Sequence, residues 1–159
     1  MGSPLILGPM LRYVDETSAS IWVETRADCV VSVSAGGRSW QARTFAVHGH
    51  HYALVEVDQL EPGSVSPYEV SIDGVSVWPD PGSEFPASVI ATRAPGQRSR
   101  IAYGSCRTSV PHDKSGNRTH GVDSLRAFAL ALAAGREDRP DLLLFLGDQV
   151  YADSTTKEM

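Results

Sequence analysis

The sequence predicts a β-sandwich at the amino end followed by the opening βαβ unit of an α/β domain. Three observations carry this reading: short alternating apolar runs separated by turn residues as far as Arg93, a composition change across residues 94–99, and a strand, helix, strand pattern beyond it. The chain has 159 residues, 42% hydrophobic and 21% charged, which suffices for one ordinary domain and part of another.

Alternation predicts strands over residues 10–14, 18–25, 30–35, 38–47, 51–60, 68–72 and 88–92. Turn chemistry separates them, most clearly at Gly36-Gly37 and Asp73-Gly74, which take positive φ at low steric cost. In Ser20-Ile21-Trp22-Val23-Glu24 the period puts Ile21 and Val23 toward the core and Trp22 on the opposite face. Residues 78–86 hold three prolines, each lacking a ladder donor, and read as an ordered loop. Residues 94–99 read as a linker, giving domains of 1–95 and 100–159.

Beyond the linker, residues 100–106 form a short apolar run that breaks at Gly-Ser and delivers Cys106. Residues 107–121 are polar and turn-rich. Residues 123–134 are dominated by alanine and leucine and predict a helix, with Asp123 capping its first turn and Gly135 or the cluster at 136–140 ending it. Leu142 to Leu146 are five consecutive large apolar residues, the pattern of a strand buried on both faces. The unit should be parallel and right-handed. Two strands and one helix leave a sheet edge and most of one face uncovered, so residues 100–159 are expected to be part of a larger domain, with self-association through the edge open to them.

The net charge of −5, with scattered acidic residues and no basic patch, argues against nucleic acid as the main partner. No apolar run approaches the roughly 20 residues of a membrane-spanning helix, and no leader pattern is visible. Cys29 and Cys106, the only cysteines, fall in different halves and do not form a disulfide framework.

Two strand ends carry the candidate chemistry. Gly147-Asp148-Gln149-Val150-Tyr151 follows one strand and Gly104-Ser105-Cys106-Arg107 the other, at the edge where open α/β sheets bind ligands. A carboxylate there can bridge cations and a phenolate favours a hard, strongly Lewis-acidic ion. The same residues also suit a turn-capping Asp148 beside a packed Tyr151. Arg107 suits either a phosphate or a surface salt bridge. His48, His50 and His51 read as a loop between strands, and His112 and His120 as solvated loop residues near enough to the strand ends to contact a substrate.

Two resemblances follow from these residues. The short strands, with Leu60-Glu61-Pro62-Gly63-Ser64 and then Tyr68, resemble a fibronectin III or immunoglobulin-like sandwich, in which a tyrosine near this turn ties back to the backbone. Tyr68 arrives a couple of residues later than the usual spacing. Gly104-Ser105-Cys106-Arg107, together with the run from Pro140 to Tyr151, resembles the start of an alkaline phosphatase D-type (PhoD-like) metallophosphoesterase. In the wider superfamily the first strand ends in Asp-x-His, and Cys106 matches the cysteine that replaces it in the PhoD-like branch. The resemblance implies an iron site held by Cys106, Asp148 and Tyr151, with Asp148 also bridging toward calcium and serving catalysis, and a small phosphate ester as substrate; Arg107 sits beside that site, where it could pair with the phosphate or with a surface carboxylate. The superfamily's later histidine motifs do not occur here, so residues 1–159 are expected to be the front of such an enzyme and inactive alone. The sequence assigns no location: it reads as cytoplasmic without a leader, and the resemblance leaves export open. The competing reading is a non-catalytic sandwich module for a protein or glycan partner, whose positive features are Trp22, Trp40 and Trp78.

Overall fold

Alternating valines and isoleucines set the architecture of the first half. The computed structural model describes residues 2–83, 86–107, 111–148 and 151, so part of the proline-rich loop (84–85) and Gln149-Val150 of the second strand-end motif lie outside the described residues. The chain divides into two units, Met1–Gln97 and Arg98–Met159. The first runs β1 (Leu5–Val14), β2 (Ala19–Thr25), β3 (Val30–Ala35), β4 (Arg38–Arg43), β5 (Phe45–Val47), β6 (His50–Val57), β7 (Val65–Ile72), β8 (Val75–Trp78) and β9 (Val89–Ala91).

These strands form a β-sandwich. One sheet has the order β1-β2-β6-β5, and the other β4-β3-β7-β8, with β9 pairing the first part of β7; all these pairs are antiparallel. Ile21 and Val23 of β2, Val31 and Val33 of β3, Val55 of β6 and Val70 of β7 have no solvent exposure, and Val57, Ile72 and Ile90 complete the layer. Each contributes at period two, so both inner faces are apolar while the outer faces carry the intervening residues. Cys29 is buried and its N–H donates to Thr44 Oγ1 at 3.0 Å; it and the exposed Cys106 are both free thiols.

Several strand bounds differ from the sequence expectation. β1 begins at Leu5, ahead of Met10, because Gly8-Pro9 fall in a register shift between Leu7 and Met10 on an edge strand, where a missing N–H breaks little of the ladder. The segment 38–47 breaks at Thr44: β4 pairs with β3 in one sheet and β5 with β6 in the other. Val75–Trp78 is a strand, set by the Asp73-Gly74 turn, whose φ values are 47° and 81°. His48 (φ 50°) and Gly49 form the tight turn joining β5 to β6, and His50 and His51 belong to β6; the histidine run is a hairpin and not a plain loop. Tyr68 is buried with its hydroxyl bonded to Ser88, and burial raises its pKa ahead of that bond's opposing effect.

The second unit contains β10 (Ile101–Gly104), α1 (Lys114–His120), α2 (Ser124–Ala133) and β11 (Leu142–Phe145), with β10 and β11 parallel and in register from Ile101–Leu142 to Gly104–Phe145. Asp123 caps α2, its side chain accepting from Arg126 N. α1 replaces part of the expected turn-rich stretch: Asp113 caps it through Gly116 N, and Gly116 packs so closely on the Pro111 carbonyl that a Cβ has no room. The expectation that Leu142 to Leu146 are buried on both faces does not hold among the described residues. Leu142, Leu143, Leu144 and Phe145 are each more than a third exposed, because a two-stranded sheet with this much helix cannot cover both faces.

Ile21→Ala should lower the stability of the full chain by about 2–5 kcal/mol, the cost of emptying a fully buried site. Val75→Ala, at a site 65% exposed, should stay within about 0.5 kcal/mol. Urea titrations of both variants check the contrast; equal shifts would place the core elsewhere.

Candidate active site

The carboxyl ends of β10 and β11 lie side by side because the two strands are parallel and in register, so the loops leaving them meet. Leu146 N donates to Gly104 O at 2.8 Å, which extends the pairing to the point where both chains turn away. Cys106 then adopts a left-handed backbone, φ 54°, uncommon for a residue with a side chain. Gly147 lies against this turn: a Cβ there would be 3.0 Å from Cys106 Sγ and closer still to Ser105 Oγ. A side chain at 147 would therefore displace the Ser105 hydroxyl and press on the Cys106 sulfur.

Three of the four residues singled out from sequence come together on the thiol. The Ser105 hydroxyl is 3.0 Å from Cys106 Sγ, the Tyr151 side chain hydrogen-bonds the sulfur, and Asp148 reaches it through its backbone. These bonds, Ser105's first, lower the thiol pKa against the opposing effects of burial and the Asp148 charge. The backbone of the fourth, Arg107, is bracketed by the same loop: its N–H donates to Asp148 O at 3.2 Å and its carbonyl accepts from Tyr151 N at 2.9 Å.

The Arg107 side chain turns to Asp123, with Nε donating to Oδ2 at 2.9 Å. Asp123 is nearly buried; burial alone would raise its pKa, but the Arg126 N–H, the Arg107 bond and charge, and His112 at 3.9 Å outweigh that and lower it. Sequence reasoning gave Asp123 only a capping role. Its second role was signalled by one feature, an acidic residue at the start of a helix that follows a strand-end arginine. His120 lies in α1, its Nδ1 2.8 Å from Thr119 Oγ1. A cleft of about 540 Å³ opens beside these groups, lined by the polar side chains of Cys106, Arg107, His120, Asp123 and Asp148 and by apolar ones such as Phe128.

A metal would find a thiol, a carboxylate and a phenol within this loop pair, donors suited to iron, with carboxylate oxygen also suited to calcium. Among the described residues no three His, Cys, Asp or Glu side chains gather closely enough to hold an ion. The donor types therefore fit, and the number of donors falls short of a full coordination sphere.

A family model for a domain of unknown function, DUF7800, matches residues 2–90. The chain belongs to the DUF7800 family. The match covers the DUF7800 sandwich and stops before β10, so the family assignment leaves the cleft untouched. No curated protein matches this DUF7800 chain. A solved structure of PhoD is similar, with a TM-score of 0.52 and 17% identity, covering 87% of the DUF7800 chain and 26% of the PhoD chain. At that identity the likeness speaks to the fold, and it extends past the sandwich into the second unit because Met1–Gln97 is a smaller share than is covered. The DUF7800 chain spans about a quarter of the length of the PhoD chain it matches. Among its described residues, no helix is long and apolar enough to cross a membrane.

Alkylation by iodoacetamide should modify Cys106 with a half-maximal pH below that of a free thiol, about 8.5, and leave Cys29 unmodified while the protein is folded. Ser105→Ala should move the Cys106 midpoint upward; an unchanged midpoint would remove the hydroxyl as the cause. Asp123→Ala should cost about 0.5–2 kcal/mol of helix capping in urea unfolding at neutral pH. Because the folded-state pKa lies below 3.8, that contribution is complete above the ordinary carboxylate range. It disappears as pH falls through the lowered folded value, so wild type and variant should converge in strong acid.

Proposed function

We propose that this chain is the front part of a metal-dependent phosphoesterase, with a fibronectin III-like sandwich over residues 1–95 and the start of a metallophosphoesterase domain over residues 100–159. The observation that carries the reading is the meeting of Asp148 and Tyr151 on the Cys106 sulfur at the ends of two parallel strands. The structural likeness to PhoD, which reaches beyond the sandwich, supports it.

In this reading Cys106, Asp148 and Tyr151 would hold iron, and the Asp148 carboxylate would also serve as a ligand for calcium. Bound there, such cations supply Lewis-acid stabilisation of the charge that develops on a phosphate ester. The chain's own residues prepare the position. Ser105 and the Asp148 N–H favour the thiolate form of Cys106, which is the form that ligates. Gly147 allows the two loops to close on each other. Asp123 fixes the Arg107 guanidinium through Nε, and the remaining N–H groups of the fork suit a phosphate oxygen at the mouth of the cleft.

The test is metal analysis and phosphate-ester hydrolysis on the complete natural gene product. Iron and calcium should be present, and both should be lost, with activity, in Cys106→Ser and Asp148→Ala. Residues 1–159 alone should show negligible turnover. A metal-free but active gene product, or one whose metals survive both substitutions, would overturn the assignment.

A further inference from the structure

The sandwich carries a second surface that the phosphoesterase reading leaves unused. Ile21, Val23, Ala53 and Val55 face the core, so their neighbours Trp22, Glu24, Tyr52 and Leu54 face outward from the same two strands. Glu24 and Phe45 both sit opposite Tyr52, and Met10 and Leu54 both sit opposite Trp22. Antiparallel partners point to the same side, so β1, β2, β6 and β5 together present one outer face. Met10, Leu54 and Phe45 on it are 47%, 43% and 53% exposed, while Trp22 and Tyr52 are anchored half-buried between them.

Tyr52 is the centre of this face. Its ring centroid lies 5.7 Å from Trp22, 5.9 Å from Phe45 and 6.1 Å from His50. The planes of Trp22 and His50 are within 26° and 11° of that of Tyr52, so these three rings are near-parallel, while Phe45 is tilted by 47° beside them. Beside it is a carboxylate in an unusual setting: Glu24 is only 6% exposed. Its Oε1 accepts from His50 Nδ1 at 2.6 Å. Oε2 has no partner among the described residues, and no fully buried side-chain oxygen there is left unbonded, so Oε2 meets solvent through the face.

We propose that this face is a saccharide-binding site, in which a pyranose ring lies against Trp22 and Tyr52 and one of its hydroxyls donates to Glu24. A pyranose with equatorial hydroxyls has an apolar C–H face and a polar rim. Aromatic rings of similar tilt complement the first, and a recessed, solvent-reaching carboxylate oxygen complements the second. A quaternary ammonium ligand calls for rings set at steep angles as the walls of a box around a cation, and planes tilted 11°, 26° and 47° from that of Tyr52 do not make one. A purely apolar protein partner would leave Oε2 of Glu24 desolvated without a donor, which is costly. The His50 bond fixes the carboxylate in place and leaves its second oxygen for the ligand.

Calorimetric titration of the full chain with cellohexaose, laminarihexaose and chitohexaose tests this. At least one should bind; Trp22→Leu and Tyr52→Leu should each weaken it by tenfold or more, and Glu24→Gln several-fold. Urea midpoints of the variants establish that they remain folded. Cys106→Ser should bind like wild type, which separates this site from the cleft, and failure of the metal assignment would leave the saccharide result unaffected. The proposal is overturned if none of the three oligosaccharides binds or if binding survives both aromatic substitutions. It is equally overturned if the chain forms a concentration-dependent dimer that Phe45→Ser abolishes, because a second copy then covers the face.

Discussion

Two sheets can share one core only if the strands on both sides alternate in phase, and everything in the first unit follows from that constraint. A slip of one residue in β2 against β6 would turn Ile21 and Val23 outward and bring Trp22 and Glu24 inward, burying a carboxylate among valines. Seven matched residue pairs from Ala19–Val57 to Thr25–His51 hold that register without a break. The same phase that fills the interior also fixes what the outer face displays. The aromatic array around Tyr52 is therefore a consequence of core packing as much as of its own contacts.

The sandwich was largely legible in the sequence because period two is a strong signal where one side of a strand is wet. Ile21, Val23 and the Gly36-Gly37 and Asp73-Gly74 turns could be placed from local chemistry alone. What failed was local in a different sense. Thr44 interrupts an otherwise continuous strand pattern because its hydroxyl bonds Asp28 Oδ1 and the Cys29 backbone, just beyond the Val30–Arg43 pair, and no pattern within residues 38–47 reports a partner that far away in sequence. The short helix α1 was hidden for the opposite reason: glycine, asparagine and threonine are weak helix formers, and the helix rests on an Asp113 cap and a close Gly116–Pro111 contact.

At the strand ends, residue type and strand termination were enough to expect Cys106, Asp148 and Tyr151 near one another, because parallel strands must bring their carboxyl ends to one edge. The Ser105 hydroxyl, the Arg107–Asp123 pair and the closeness of Gly147 to the Cys106 turn depend on how two loops pack, which no spacing rule encodes. The exposure of Leu142 to Phe145 has a related cause. Apolar content reports what a strand is suited to pack against, whereas burial depends on which other elements are present to cover it.

The crossing at Thr44 has a mechanical consequence. Because β4 hydrogen-bonds in one sheet and β5 in the other, the backbone at this point is a covalent strap between the layers, anchored by the Thr44 N–H on Cys29 O at 3.1 Å. A force that pulls the sheets apart near this edge loads peptide bonds and a short run of backbone, while the opposite edge, where β1 and β9 approach, is held by side-chain packing and the non-covalent bond from Arg93 N–H to Asp15 O at 3.1 Å. Peeling under tension should then begin on the β1 side and stall at Thr44, giving the sandwich a direction in which it yields and one in which it resists.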